Sequence, residues 1–114
     1  MAKTSELTDR QRTPPKGVAT QAKRGLDLRV KHDRGGTEVG VRRAHQLADQ
    51  KAVSDKDIKD IYAYFARHAV DKAADGWASR TDPSAGYIAW LLWGGDPAER
   101  WIGRLHDRLE KAAG

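Results

Sequence analysis

Apolar positions along this chain recur at helical spacing, and no stretch alternates in the way of a half-buried strand. Val18, Ala22, Leu26 and Val30 come every four residues, with Gly25 and Leu28 at the edges of the stripe. Pro14 and Pro15 precede the stripe and suit a first helical turn, so a first helix is predicted from there to His32. "DRGG" at 33–36 reads as a turn. Thr37 then caps a second helix from Glu38 to about Gln50. Its apolar side is Val39 or Val41 with Ala44, Leu47 and Ala48, which turns Arg42, Arg43 and Gln46 outward. Gly40 either permits close packing there or marks a later start.

"VSDKD" carries the strongest start signal. Ser54 is a good N-cap, Asp55 and Asp57 set negative charge in the positive first turn, and Val53 can staple against Ile58. Ile58, Ile61, Tyr62, Phe65 and Ala69 give this third helix its inner face. Residues 73–82 form an irregular connection, with Trp77 folded back over the core. Asp82 as cap and Pro83 as first residue open a fourth helix, "PSAGYIAWLLWGGD", which is apolar on nearly every side and hence the most enclosed. Gly94 and Gly95 stop it. "DPAE" at 96–99 reads as the cap of a fifth helix, with Trp101, Ile102, Leu105 and Leu109 inward and Arg104, Arg108 and Lys111 outward. Residues 1–13 are polar and without a period, so they read as a flexible tail. The expectation is an all-α fold: residues 14–114 as a single compact bundle of about five helices behind that tail.

Composition narrows the chemistry. The 114 residues contain no cysteine, which excludes disulfides, thiolate metal sites and thiol nucleophiles. No run approaches the roughly 18 apolar residues of a membrane span. The start, "MAKTSELTDRQRTPPK", has no apolar core and does not read as a secretory signal. The net charge of +5 is uneven: residues 1–51 carry +6 and residues 52–114 carry −1. A basic half joined to a neutral, aromatic-rich half suggests a polyanion on one side and the fold's core on the other. The competing reading is a solvated surface that happens to be basic.

Three stretches carry a resemblance: "PPKGVATQAKRGLDLR", "GGTEVGVRRAHQLADQKAVSDKDIKDIYAYFARHAVDK" and "PSAGYIAWLLWGGDPAERW". Together they resemble a small domain encoded widely in tailed-bacteriophage genomes, cyanophages included, where it stands alone or is attached to larger virion proteins. The similarity covers about residues 14–106. It departs from the pattern at Ala69, where an acid is expected, and at Pro97, where a small residue is usual. The resemblance implies a phage origin and transfers no catalytic residue.

Candidate chemistry is sparse. His68 and Asp71 are three apart and share a helix face, but His32, His45 and His106 stand at no paired metal-ligand spacing, so no metal and no cofactor is expected. Ser54, Ser79 and Ser84 read as caps and loop residues, and "DRGGT" lacks the strand-to-helix context of a phosphate loop; no enzyme is expected. What remains is a basic set in the first two helices and their turns: Lys16, Lys23, Arg24, Arg29, Lys31, Arg34, Arg42, Arg43 and Lys51. Such side chains contact phosphates and give affinity without reading sequence, and Gly35 and Gly36 could let backbone N–H groups approach a phosphate. The expected function is that of a phage-encoded, non-enzymatic DNA-binding accessory protein with low sequence specificity. The alternative is a virion structural or interaction protein docked on a capsid, portal or tail component. Either role places it in the host cytoplasm, or packaged in or attached to the virion, with no membrane partner.

Overall fold

A computed structural model describes residues 7–113. It is all-helical, in the order α1 (Asp9–Arg12), α2 (Lys16–His32), α3 (Glu38–Ala48), α4 (Asp55–His68), a 3-10 segment (Ala69–Ala73), α5 (Ala85–Leu92) and α6 (Gly95–Ala113). Five helices form the bundle and α1 is a single turn. None is long and apolar enough to cross a membrane. α2 packs against both α3 and α5, and α4 against α6.

Local chemistry explains most of the boundaries. The Thr37 hydroxyl accepts from the Gly40 N–H at the start of α3. Ser54 and Asp57 form a reciprocal capping box at α4, with Val53 and Ile58 both buried beside it, as the staple requires. Gly94 and Gly95 sit at φ 104° and 67° and turn the chain from α5 into α6. A Cβ on Gly94 would stand 2.4 Å from that of Ala98 and 2.9 Å from Val18, so this stop is also a packing position. The core centres on Trp90, 1% exposed. Phe65 and Trp77 meet its ring edge-on, at 4.7 and 5.5 Å between centroids, and its indole N–H donates to Asp96 at 2.9 Å.

Several expectations are corrected. Val30 is 82% exposed while Gly25 is buried. A strict four-residue spacing drifts by about 40° per step on a helix of 3.6 residues per turn; three steps carry Val30 about 120° from Val18, whereas Gly25, seven residues on, falls within about 20° of Val18. On α4, Tyr64 is buried and Tyr62 is 42% exposed, the reverse of the predicted face; Ala69 is exposed as well. α3 ends at Ala48, not near Gln50. α5 is capped by Ser84, whose hydroxyl accepts from the Tyr87 N–H, rather than by Asp82. α6 begins at Gly95, so Asp96 lies within its first turn and takes the Trp90 indole instead of capping.

The predicted tail is the largest correction. Residues 1–6 lie outside the described residues, but 7–13 are built into the fold. α1 has its own capping box between Thr8 and Gln11. Leu7 joins the core cluster. Arg12 donates to the Val53 carbonyl at 3.0 Å and pairs with Asp55 at 2.7 Å. The Val53 N–H returns a bond to the Arg12 carbonyl, and the Trp101 indole donates to that of Gln11. Sequence periodicity missed this because one turn is too short to show a period.

Candidate nucleic-acid interface

Of the nine basic residues predicted to meet phosphates, Lys51 is exposed just beyond the end of α3, and the other eight divide into two groups. Four are exposed and make no ion pair or hydrogen bond among the described residues: Lys16, Lys23 and Lys31 on α2 and Arg42 on α3. Lys23 follows Lys16 by two turns and Lys31 follows it by just over two, so the three lie along the solvent side of α2 over about 22 Å. Asp27 is exposed on the same side, between Lys23 and Lys31.

The other four are engaged within the protein. Arg24, though exposed, donates to the Tyr87 hydroxyl at 3.1 Å. Arg29 is half-buried and its Nε donates to the Gly35 carbonyl at 2.9 Å. Arg34 pairs with Asp82 at 2.8 Å and reaches the Pro83 carbonyl at 3.0 Å, tying the α2–α3 turn to the entry of α5. Arg43, placed outward by the helical pattern, is instead mostly enclosed, with a side chain only 12% exposed. It pairs with Asp57 at 2.9 Å and Asp60 at 3.7 Å, donates to Gln46 at 2.7 Å, and lies over the Trp93 ring at 5.4 Å.

Asp57 registers this environment. Burial pushes its carboxyl up, but the Ser54 N–H and the Arg43 and Gln46 side chains outweigh that and lower the pKa from 3.8 to about 2. Gly35 and Gly36 are likewise structural. Both have positive φ, and a Cβ on them would stand 2.6 Å from Ile88 and 2.4 Å from Leu92. They let the turn lie flat on α5 rather than open toward a phosphate.

Folding also gathers a basic cluster that the sequence keeps far apart. A groove of about 340 Å³ runs between α1 and α6, with Arg10, Thr13, Pro15, Trp101, Arg104 and Arg108 along it. Its three arginines are exposed and have no ion-pair partner among the described residues. Pro15, which lines the groove, immediately precedes Lys16 at the start of α2. The outward placement of Arg104 and Arg108 was readable from the sequence. Arg10 gives no such signal, because its segment has no helical period and reads as a tail.

No group of three or more histidine or acidic residues among the described residues is arranged to hold a metal ion. His68 Nδ1 lies 3.0 Å from Asp71 Oδ2, a pair that fixes the end of α4 to the 3-10 segment. No family model matches the chain, and no curated protein or solved structure does either.

Proposed function

We propose that this protein is a phage-encoded, non-enzymatic accessory protein that binds DNA through phosphate contacts, with little sequence preference. The observation that carries the reading is a set of exposed cations without ion-pair partners: Arg10, Arg104 and Arg108 in the α1–α6 groove, and Lys16, Lys23 and Lys31 along α2. Cations without a carboxylate partner can release the counterions of a nucleic acid at no cost in internal ion pairs. The phage origin rests on the resemblance of residues 14–106.

The test is fluorescence anisotropy with labelled duplex and single-stranded DNA over a salt series. Binding should persist at physiological salt. With Arg42 included the proposed set has seven cations, so if these make the contacts the slope of log K against log salt should be no steeper than about −6, at roughly −0.9 per phosphate. Reversing Lys16 and Lys23, or Arg104 and Arg108, to Glu should weaken binding and flatten the slope while the helical signal is kept. Undiminished binding by both double variants, or none by the parent at physiological salt, refutes the reading. A second reading, docking on a capsid, portal or tail component, is favoured by the apolar side chains left in solvent at Val30, Val39 and Val70. Co-purification with virions in the absence of DNA binding would select it.

A further inference from the structure

A second groove, of about 600 Å³, lies among α3, α4 and α5, remote in chemistry from the lysine row. Its apolar lining is Val39 from α3, Ala63 from α4, Ala85 and Ala89 from α5, and Trp93 at the C-cap of α5. Val39 is half exposed there with no partner covering it. The polar lining is unusual in what it lacks. Three buried side-chain polar atoms among the described residues have no hydrogen-bond partner, and two of them, Tyr64 Oη and Arg43 Nε, belong to residues of this one groove.

Tyr64 is only 6% exposed. Its ring stacks on Trp93 at 4.4 Å and on His68 at 4.5 Å, which fixes the hydroxyl in place. Burial first, and the charge of Asp71 second, push the phenol pKa up against the opposing effect of Arg67, so the hydroxyl stays a donor. Arg67, on the same groove, is exposed and has no ion-pair partner among the described residues. The two carboxylates of the groove are already engaged: Asp60 by Lys56 at 2.9 Å and Arg43 at 3.7 Å, and Asp71 by His68 at 3.0 Å. The groove therefore combines one exposed, unpaired guanidinium, Arg67, with two lining residues, Tyr64 and Arg43, that each hold a buried donor atom lacking an acceptor, beside an apolar floor. A buried donor without an acceptor is costly, and grooves of this volume with a few convergent polar groups are the usual form of a ligand site.

We propose that this groove binds a carboxylate carried on an apolar body. The carboxylate accepts from Tyr64 and pairs with Arg67, while the body lies on Ala63, Ala89 and Trp93. Phosphates of a nucleic acid lack the apolar body, so this site is separate from the cation row and does not rest on the DNA reading. The same chemistry is offered by a free aryl or alkyl acid and by the last residue of a polypeptide.

The experiment is NMR titration of the full chain, following the Trp93 indole N–H and the Gly86 amide, with three probes: 3-phenylpropionate, N-acetylphenylalanine and N-acetylphenylalanine amide. The two acids should give saturable shifts in the millimolar range, and the neutral amide should bind at least tenfold more weakly. N-acetylphenylalanine tighter than phenylpropionate identifies a polypeptide C-terminus as the natural ligand; equal or weaker binding identifies a free acid. Tyr64→Phe removes the unpartnered hydroxyl and keeps the ring, so its melting point should stay level or rise while acid affinity falls severalfold. Arg67→Gln, at an exposed position, should abolish the preference for acid over amide. Ala63→Leu, which fills the groove from an exposed site, should abolish the shifts. No saturable shift with either acid, equal binding of the amide, or parent-like binding by both Tyr64→Phe and Arg67→Gln overturns the proposal. Displacement of the acid by duplex DNA overturns it too, because the groove would then belong to the nucleic-acid surface.

Discussion

Arg42 and Arg43 are neighbours of the same type on one helix, and their replacement separates surface charge from structural charge. Arg43→Met keeps the length and much of the apolar stem but removes the guanidinium. Asp57 then loses both a hydrogen bond and the nearest positive charge, Asp60 loses one of its two cations, and Trp93 loses the cation over its face. The size of the effect follows from Asp57. Its folded pKa of about 2, against 3.8 for the free group, sets an upper bound of about 2.4 kcal/mol at 1.36 kcal/mol per unit, which solvent screening at this partly exposed carboxylate reduces to about 1–2 kcal/mol. Arg43 is one of three contributors to that lowering. The lost cation over Trp93 adds about 0.5–1 kcal/mol, and Asp57 and Asp60 are left close together with less to neutralise them. A total of about 1–2 kcal/mol is expected at pH 7, which for a domain of this size lowers the melting point by roughly 4–12 °C. The sign of the pH dependence is fixed. A folded pKa below the unfolded one means that the Asp57 contribution is complete above pH 3.8 and is lost as pH falls toward about 2. The parent should therefore lose stability across that window, and Arg43→Met should lose less there because less remains to be lost. Thermal melts by circular dichroism from pH 7 to pH 2 measure both effects. Arg42→Glu, on an exposed side chain, should melt like the parent. A variant Arg43→Met that melts within about 2 °C of the parent with an unchanged acid limb would refute the assignment.

Two more stability predictions use different contacts. Gly25→Ala, which in an open helix stabilises by about 1 kcal/mol, should here destabilise by at least that much. The new Cβ would stand 2.7 Å from the Leu92 nitrogen and 2.9 Å from the Leu91 carbonyl carbon, backbone that has no room to shift; urea denaturation gives the sign directly. Arg12→Ala should cost about 1–3 kcal/mol by breaking the Asp55 pair and leaving the Val53 carbonyl short of a donor. A null result in the same assay would return residues 7–13 to the status of a tail.

The sequence by itself determined that the chain is helical, where most helices begin and end, and that "GYIAWLLWGGD" is interior. Those properties are local. The Ser54 and Thr37 caps and the Gly94–Gly95 stop act within four residues of themselves, and an apolar stripe reports burial wherever its period holds over three turns. Tertiary structure decided which of two acceptable faces was used. Tyr62 fits a 3,4 spacing with Ile58 and Phe65, and Tyr64 fits it with Ile61. Tyr64 is buried where the end of α5 sets Trp93 against it, while Tyr62, 42% exposed, stacks on His106 at 3.7 Å. The same is true of charge. A helical pattern places Arg43 outward, but an outward side chain is free only where no neighbouring helix brings carboxylates to it, and α4 brings two. Arg34 finds Asp82 across 48 residues, and Arg10 meets Arg104 and Arg108 across more than ninety. Net charge is additive and can be read from composition, whereas the availability of each charge depends on the residues that folding places within a few ångströms of it.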